Sequence, residues 1–168
     1  IEVFPETKQF VARGNARARI APRKGEADAS QEAPIEFGNE AIDVTADRYE
    51  IGEEGAVFHE NVAVAHPQWN LRSGVLRFDF SEEGRSLERV SAEDSVHFES
   101  LPADAGQGES ADDAIEDVLA GKPWSLDSDR LVLEVDPVSD ALEGMVADGN
   151  VKLMQAGRSA VGERLTYN

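Results

Sequence analysis

Three histidines, a few serines and some paired acidic residues are the side chains of this 168-residue chain whose types and spacing could serve chemistry. A metal centre gathers three or four His, Cys or carboxylate ligands, usually seeded by a tight local spacing. His59 and His97 lie in separate alternating segments, and His66 sits beside Pro67 and Trp69; none has a second ligand at such a spacing. The first two are expected as solvated strand histidines, and His66 as a rim or turn residue. Acyl transfer by serine needs a strand-elbow-helix around Gly-x-Ser-x-Gly, which Ser73-Gly74, Ser81 and Ser95 lack. Asp127-x-Asp129 and Asp112-Asp113 do not supply the spaced oxygens and glycine of a calcium loop. Gly106-x-Gly108 is not followed by a phosphate-binding helix, and Arg72, Arg77 and Arg85 are too dispersed for a phosphate clamp. The absence of cysteine removes thiol nucleophiles, thiolate ligands and disulfides. No catalytic residue, metal site or cofactor is expected. A carbohydrate-active domain with paired carboxylates is the remaining enzymatic option, and no such pair can be assigned.

Charge narrows the partners. Thirty-four acidic residues against 16 basic ones give a net charge of -18, a field that repels polyphosphate, so nucleic acid is not an expected ligand. Basic residues gather instead at the start, as Lys8, Arg13, Arg17, Arg19, Arg23 and Lys24, where they can meet an anionic group or an acidic neighbour. No run approaches the roughly 18 apolar residues of a membrane-crossing helix. The opening Ile1-Glu2-Val3-Phe4-Pro5 lacks the layout of a signal peptide, so the chain is expected to be a mature or excised segment. Its length suits a single domain over residues 1–168.

The elements that would carry any function are strands. A pattern returns four times, around Gly14-Asn15-Ala16, Glu60-Asn61-Val62, Asp94-Ser95-Val96 and Gly149-Asn150-Val151. Superposed on these triplets, alternate positions form an apolar column: Phe10, Ala12, Ala16, Ala18, Ile20; Ala56, Phe58, Val62, Val64; Val90, Ala92, Val96, Phe98; Met145, Ala147, Val151, Leu153. A period of two specifies strands with one dry and one wet face. The small, acidic or amide residues of the triplets suit a bulge, and a bulge at one place in every strand would bend a sheet in step.

Further strands are predicted at Ile1–Phe4, Ile42–Ala46, Tyr49–Ile51, Val75–Phe80, Leu131–Val135 and Arg164–Tyr167, joined by turns at Pro5–Lys8, Gly52–Gly55, Ser81–Arg85 and Asp136–Asp140. Residues 21–33 read as an exposed loop. Ser110-Ala111-Asp112-Asp113 caps a predicted short helix near 110–120 that plugs an edge or covers a ligand. Trp69 and Trp124 precede apolar strand starts, where amphipathic rings cover the ends of a groove.

The phrases Phe10 to Ala16, Val57 to Val64, Val146 to Leu153 and Gly162 to Asn168 resemble the OstA-like family of bacterial lipopolysaccharide transport, the periplasmic bridge and the related amino-terminal domain of the outer-membrane translocon. Thr45-Ala46-Asp47-Arg48-Tyr49, Ser128 to Leu133 and Gly162 to Tyr167 are similar to the phrase that closes each of its units. Glu60 and Asp94 stand where the family favours glycine, and Ser95 where it favours Asn.

The resemblance implies an all-β, open, twisted β-jelly roll of antiparallel hairpins and a noncatalytic function. In it an apolar groove shelters the acyl chains of lipopolysaccharide or a similar lipid, and like domains join edge to edge, self-association included, in the periplasm of a Gram-negative-type envelope. The groove lining it implies is Phe10, Ile20, Phe58, Val62, Val64, Leu76, Phe78, Val90, Val96, Phe98, Leu131, Leu133, Met145, Val151 and Leu153. From the residues alone, the same column also fits a scaffold module with a filled core and protein-binding edges.

Overall fold

Alternation of apolar and polar residues leaves each long segment with one face that gains by leaving water, and an extended backbone is the conformation that keeps that face together. The computed structural model describes residues 2–4, 9–20, 41–52, 55–81, 87–101, 123–136 and 142–167. They form β1 (Glu2–Phe4), β2 (Gln9–Ile20), β3 (Ile42–Ile51), β4 (Gly55–Ala65), β5 (Trp69–Phe80), β6 (Leu87–Ser100), β7 (Trp124–Val135), β8 (Leu142–Gln155) and β9 (Arg158–Tyr167). All pair in chain order in one nine-stranded antiparallel meander. The predicted helix near 110–120 and the loop at 21–33 lie outside the described residues.

One line of irregularity crosses the sheet. In each even strand from β2 to β8, two consecutive residues take left-handed backbone conformations: Gly14-Asn15, Glu60-Asn61, Asp94-Ser95 and Gly149-Asn150. Each pair stands opposite a single residue on the odd strands beside it, namely Asp47, Gly74, Asp129 or Glu163, and the register slips there in every ladder from β2–β3 to β8–β9. These are bulges in line, each bending its strand and raising the local twist. They occupy the four triplets that the sequence marks. Left-handed conformations cost non-glycine residues roughly 1–2 kcal/mol each. Side chains offset part of that: Asn61 Nδ2 donates to Asp47 Oδ2 at 2.7 Å and Asn150 Nδ2 donates to Asp129 Oδ2 at 2.9 Å, spanning the bulge to the residue opposite.

The slip also corrects the predicted strand limits. β5 begins at Trp69 rather than Val75, β7 at Trp124 rather than Leu131, β9 at Arg158 rather than Arg164, and β3 runs through both short predicted segments. In odd strands the inward residues are three apart at the bulge, as in Ala46 to Tyr49, Ser73 to Leu76 and Ser128 to Leu131, so the alternation changes phase and two half-patterns look like separate segments. In even strands the gap is four, as in Phe58 to Val62, and the phase survives.

Both halves of each strand from β3 to β8 present their apolar side chains to the same face, and that face is buried in a single cluster. Since there is one sheet, its cover is the sheet itself, folded along the line of bulges so that the two half-sheets enclose the core between them. Small side chains sit along the inner side of the fold: Ala16, Ala46, Val62, Ser73, Val96, Ser128, Val151 and Gly162 follow one another across the strands. Larger ones fill the space on either side.

The fold line makes two glycines unequal. A Cβ on Gly149, at φ +74°, would lie 2.9 Å from the Cβ of Asp129, whereas one on Gly14, at φ +79°, would meet nothing within 4 Å. Gly14→Ala is expected to cost about 1 kcal/mol from backbone strain alone, and Gly149→Ala roughly 2–4 kcal/mol from strain plus collision. Urea unfolding of both variants checks the order, and equal losses would contradict it.

Candidate functional site: the apolar interior and the sheet edges

Every predicted lining residue lies in a strand, and all except Phe10, Ile20 and Leu153 are 3% exposed or less. Ile20 and Leu153 pack against the periphery of the core. Phe10 is 47% exposed, since only the short β1 lies beyond it at that edge. The interior also holds Ile42, Val44, Trp69, Leu71, Trp124 and Leu126, which were absent from the predicted lining. Their signal was the alternation Trp69-x-Leu71 and Trp124-x-Leu126 in the half-strands before the phase change.

Aromatic rings organise the two sides of the fold differently. On one side His66, Trp69, Phe98 and Trp124 stack in sequence, with centroids 5.1, 5.8 and 5.0 Å apart and interplanar angles of 24°, 18° and 25°. This column runs across β5, β6 and β7 at their ends. Trp69 and Trp124 are therefore the first residues of their strands and wholly interior, not rings placed ahead of them. The backbone N–H of Trp124 donates to Ser100 Oγ at 3.0 Å, and that of Leu101 to the carbonyl of Gln68 at 2.7 Å, tying the strand ends beside the column. On the other side Phe58 meets Phe78 edge-to-face at 5.8 Å and Tyr49 at a 39° tilt at 5.6 Å. Small residues, Ala12, Ala56, Ala92 and Ala147, are interleaved there.

The histidines divide. His66 is 5% exposed and stacked on Trp69, and the backbone N–H of Gln68 donates to its Nδ1 at 3.2 Å, so it is a packed residue of the turn. His97 is not merely solvated: its Nδ1 lies 2.6 Å from Asp127 Oδ1 across the β6–β7 ladder. His59 faces Arg48 of β3. On the same outer face Arg130 reaches Glu93, Arg89 reaches Glu134 and Arg164 reaches Asp148, each pair directly across a ladder. Such exposed pairs each contribute on the order of 0–1 kcal/mol and chiefly fix register. Among the described residues no three His or acidic side chains converge as metal ligands. No helix among them is long and apolar enough to cross a membrane.

Both margins of the sheet offer backbone for pairing. Among the described strands β9 is bonded to β8 alone. Its first half, Arg158–Glu163, is exposed on both faces, with Val161 at 79%. At the other margin β1 covers only Gln9–Val11 of β2. A two-residue turn with left-handed Ala156 and Gly157 delivers β9 into the β8 register, as a primed hairpin turn does.

No family model and no curated protein matches the chain. Among solved structures it is similar to that of LptH of Pseudomonas aeruginosa, described as the LptA-homologous periplasmic component of the lipopolysaccharide transport device. The TM-score is 0.55 at 18% sequence identity, over 75% of this chain and 74% of that one. At that identity the likeness is one of fold, and with the strand order it establishes an all-β, open jelly roll.

The stacked column yields a stability test. Phe98→Ala removes the ring between the two indoles in a site with no exposure, and is expected to cost about 3–5 kcal/mol. Phe98→Leu, which refills most of the space, is expected to recover over half of that loss. Thermal or denaturant unfolding measures both, and a loss under 1 kcal/mol for the alanine would show that the column contributes little to the stability of the core.

Proposed function

We propose that this chain is a noncatalytic lipid-handling domain of a lipopolysaccharide transport system in the periplasm of a Gram-negative-type bacterium. It shelters acyl chains in its interior and joins like domains through its edge strands. The observation that carries this is the continuity of the dry face: one folded sheet holds a buried apolar cluster from β3 to β8, flanked by partly buried residues of β2 and β9, with pairing-competent backbone at both margins. The fold shared with LptH, a component of such a transport device, supports it.

The energetics are favourable for such cargo. Each buried methylene gains about 0.8 kcal/mol, so every five or six methylenes laid along the interior gain about 4–5 kcal/mol, while sugars and phosphates stay in water. Admission requires the half-sheets to part, since the interior of the free chain is closed over. Alanines on the inner face are interleaved with phenylalanine and leucine side chains, and the half-exposed Phe10 stands at the β1–β2 margin, where entry would begin. Edge joining would extend the interior from one domain to the next by strand addition.

The tight burial of Phe58, Leu76, Phe78, Val96 and Phe98 favours a second reading, a scaffold module with a filled core. Photo-reactive phenylalanine analogues at Phe58 and at the half-exposed Phe10 separate the two. Crosslinking to added lipopolysaccharide at both positions, with the lipid adduct seen by native mass spectrometry, is the expected result. Protein crosslinks only, with no adduct, would refute the carrier and favour the scaffold. For the edges, Val161→Lys places charge on β9 and is expected to weaken self-association at least tenfold by sedimentation without lowering the melting temperature. Unchanged association would exclude β9 as the joining strand.

A further inference from the structure

The inner side of the fold line carries two hydroxyl groups with apolar neighbours across the ladders. Ser73 on β5 and Ser128 on β7 are 8% and 5% exposed, and among the described residues neither Oγ has a hydrogen-bond partner. They are equivalent in the fold: each is the inward residue immediately before the single residue, Gly74 or Asp129, that faces a bulge. Their neighbours along the fold are apolar, Val62 and Val96. β6 lies between their strands, which sets the two serines about 10 Å apart.

A buried, unsatisfied hydroxyl is a cost that apolar substitution would remove, because the group has lost water and gained nothing in return. Alanine or glycine occupies the corresponding place on the two other bulge-facing odd strands, as Ala46 and Gly162, so the backbone does not demand a hydroxyl there. Small residues along the fold also leave this strip the shallowest part of the inner surface, where a guest would approach the backbone most closely. We propose that Ser73 and Ser128 form a hydrogen-bonding subsite for the carbonyl oxygens of acyl chains taken into the interior. Pure hydrocarbon would leave both hydroxyls as they are. An ester or amide carbonyl, itself losing water on entry, accepts from Ser Oγ and satisfies both partners. The subsite rests on the carrier function proposed above and specifies it: the cargo is recognised as acyl chains, not only as apolar bulk.

The test compares wild type, Ser73→Ala/Ser128→Ala and Ser73→Thr/Ser128→Thr for thermal melting and for lipopolysaccharide affinity. The alanine pair is expected to melt about 2–4 °C higher for each relieved hydroxyl, yet to bind lipopolysaccharide roughly tenfold more weakly. The threonine pair, which keeps the hydroxyls on residues suited to strands, is expected to retain affinity within about threefold of wild type. Unchanged affinity in a folded alanine variant would overturn the subsite while leaving the carrier intact. A wild type that binds no lipopolysaccharide would overturn the carrier itself and the subsite with it.

Discussion

Everything in this molecule depends on reconciling two demands on one backbone: unbroken hydrogen bonding along the ladders, and a sheet that doubles back on itself to cover its own apolar face. A flat meander would leave that face in water, and an interrupted one would bury unpaired N–H and C=O groups. Paired left-handed residues at Gly14-Asn15, Glu60-Asn61, Asp94-Ser95 and Gly149-Asn150 resolve the conflict by placing the irregularity at one level in every even strand. The ladders resume on each side of it, and the core forms between the halves.

That constraint accounts for residue choice at some distance from it. Where the bulged strand presses on its neighbour, Gly74 leaves room for the Cβ of Asp94, and where a carboxylate faces an amide, Asp47 and Asp129 hold Asn61 and Asn150. Small inward residues line the fold and aromatic rings lie beyond it, so the interior widens away from the crease. Outside, acids and arginines pair across rungs while the surface keeps its strong negative charge, which opposes nonspecific association with other acidic surfaces.

Much of this was legible in the sequence. Even strands keep their alternation through the bulge, so Phe58 and Val62, or Ala147 and Val151, read as one column, and Asn or Ser within it marked the bend. Odd strands change phase at Gly74, Asp129 and Glu163, so Trp69 and Leu71 could not be joined to Leu76 by periodicity, and half of each was lost. Phe10 has an inward parity yet remains exposed, because parity reports the face and not whether anything lies over it. The contact between His97 and Asp127 depends on register between strands 30 residues apart in sequence, which spacing along the chain does not encode.

The bulges have a bookkeeping property of their own. Passing from an even strand to an odd one, the ladder loses one residue, and passing to the next even strand it regains it, so the count balances over every two strands. A hairpin is thus a self-contained module whose two ends present the same phase. The architecture can be lengthened or shortened by whole hairpins while bulged and unbulged strands still alternate, whereas gain or loss of a single strand would set two strands of the same kind side by side and cancel the slip between them. Length along the interior is therefore a quantity that duplication can alter in steps of two strands, without redesign of what is already there.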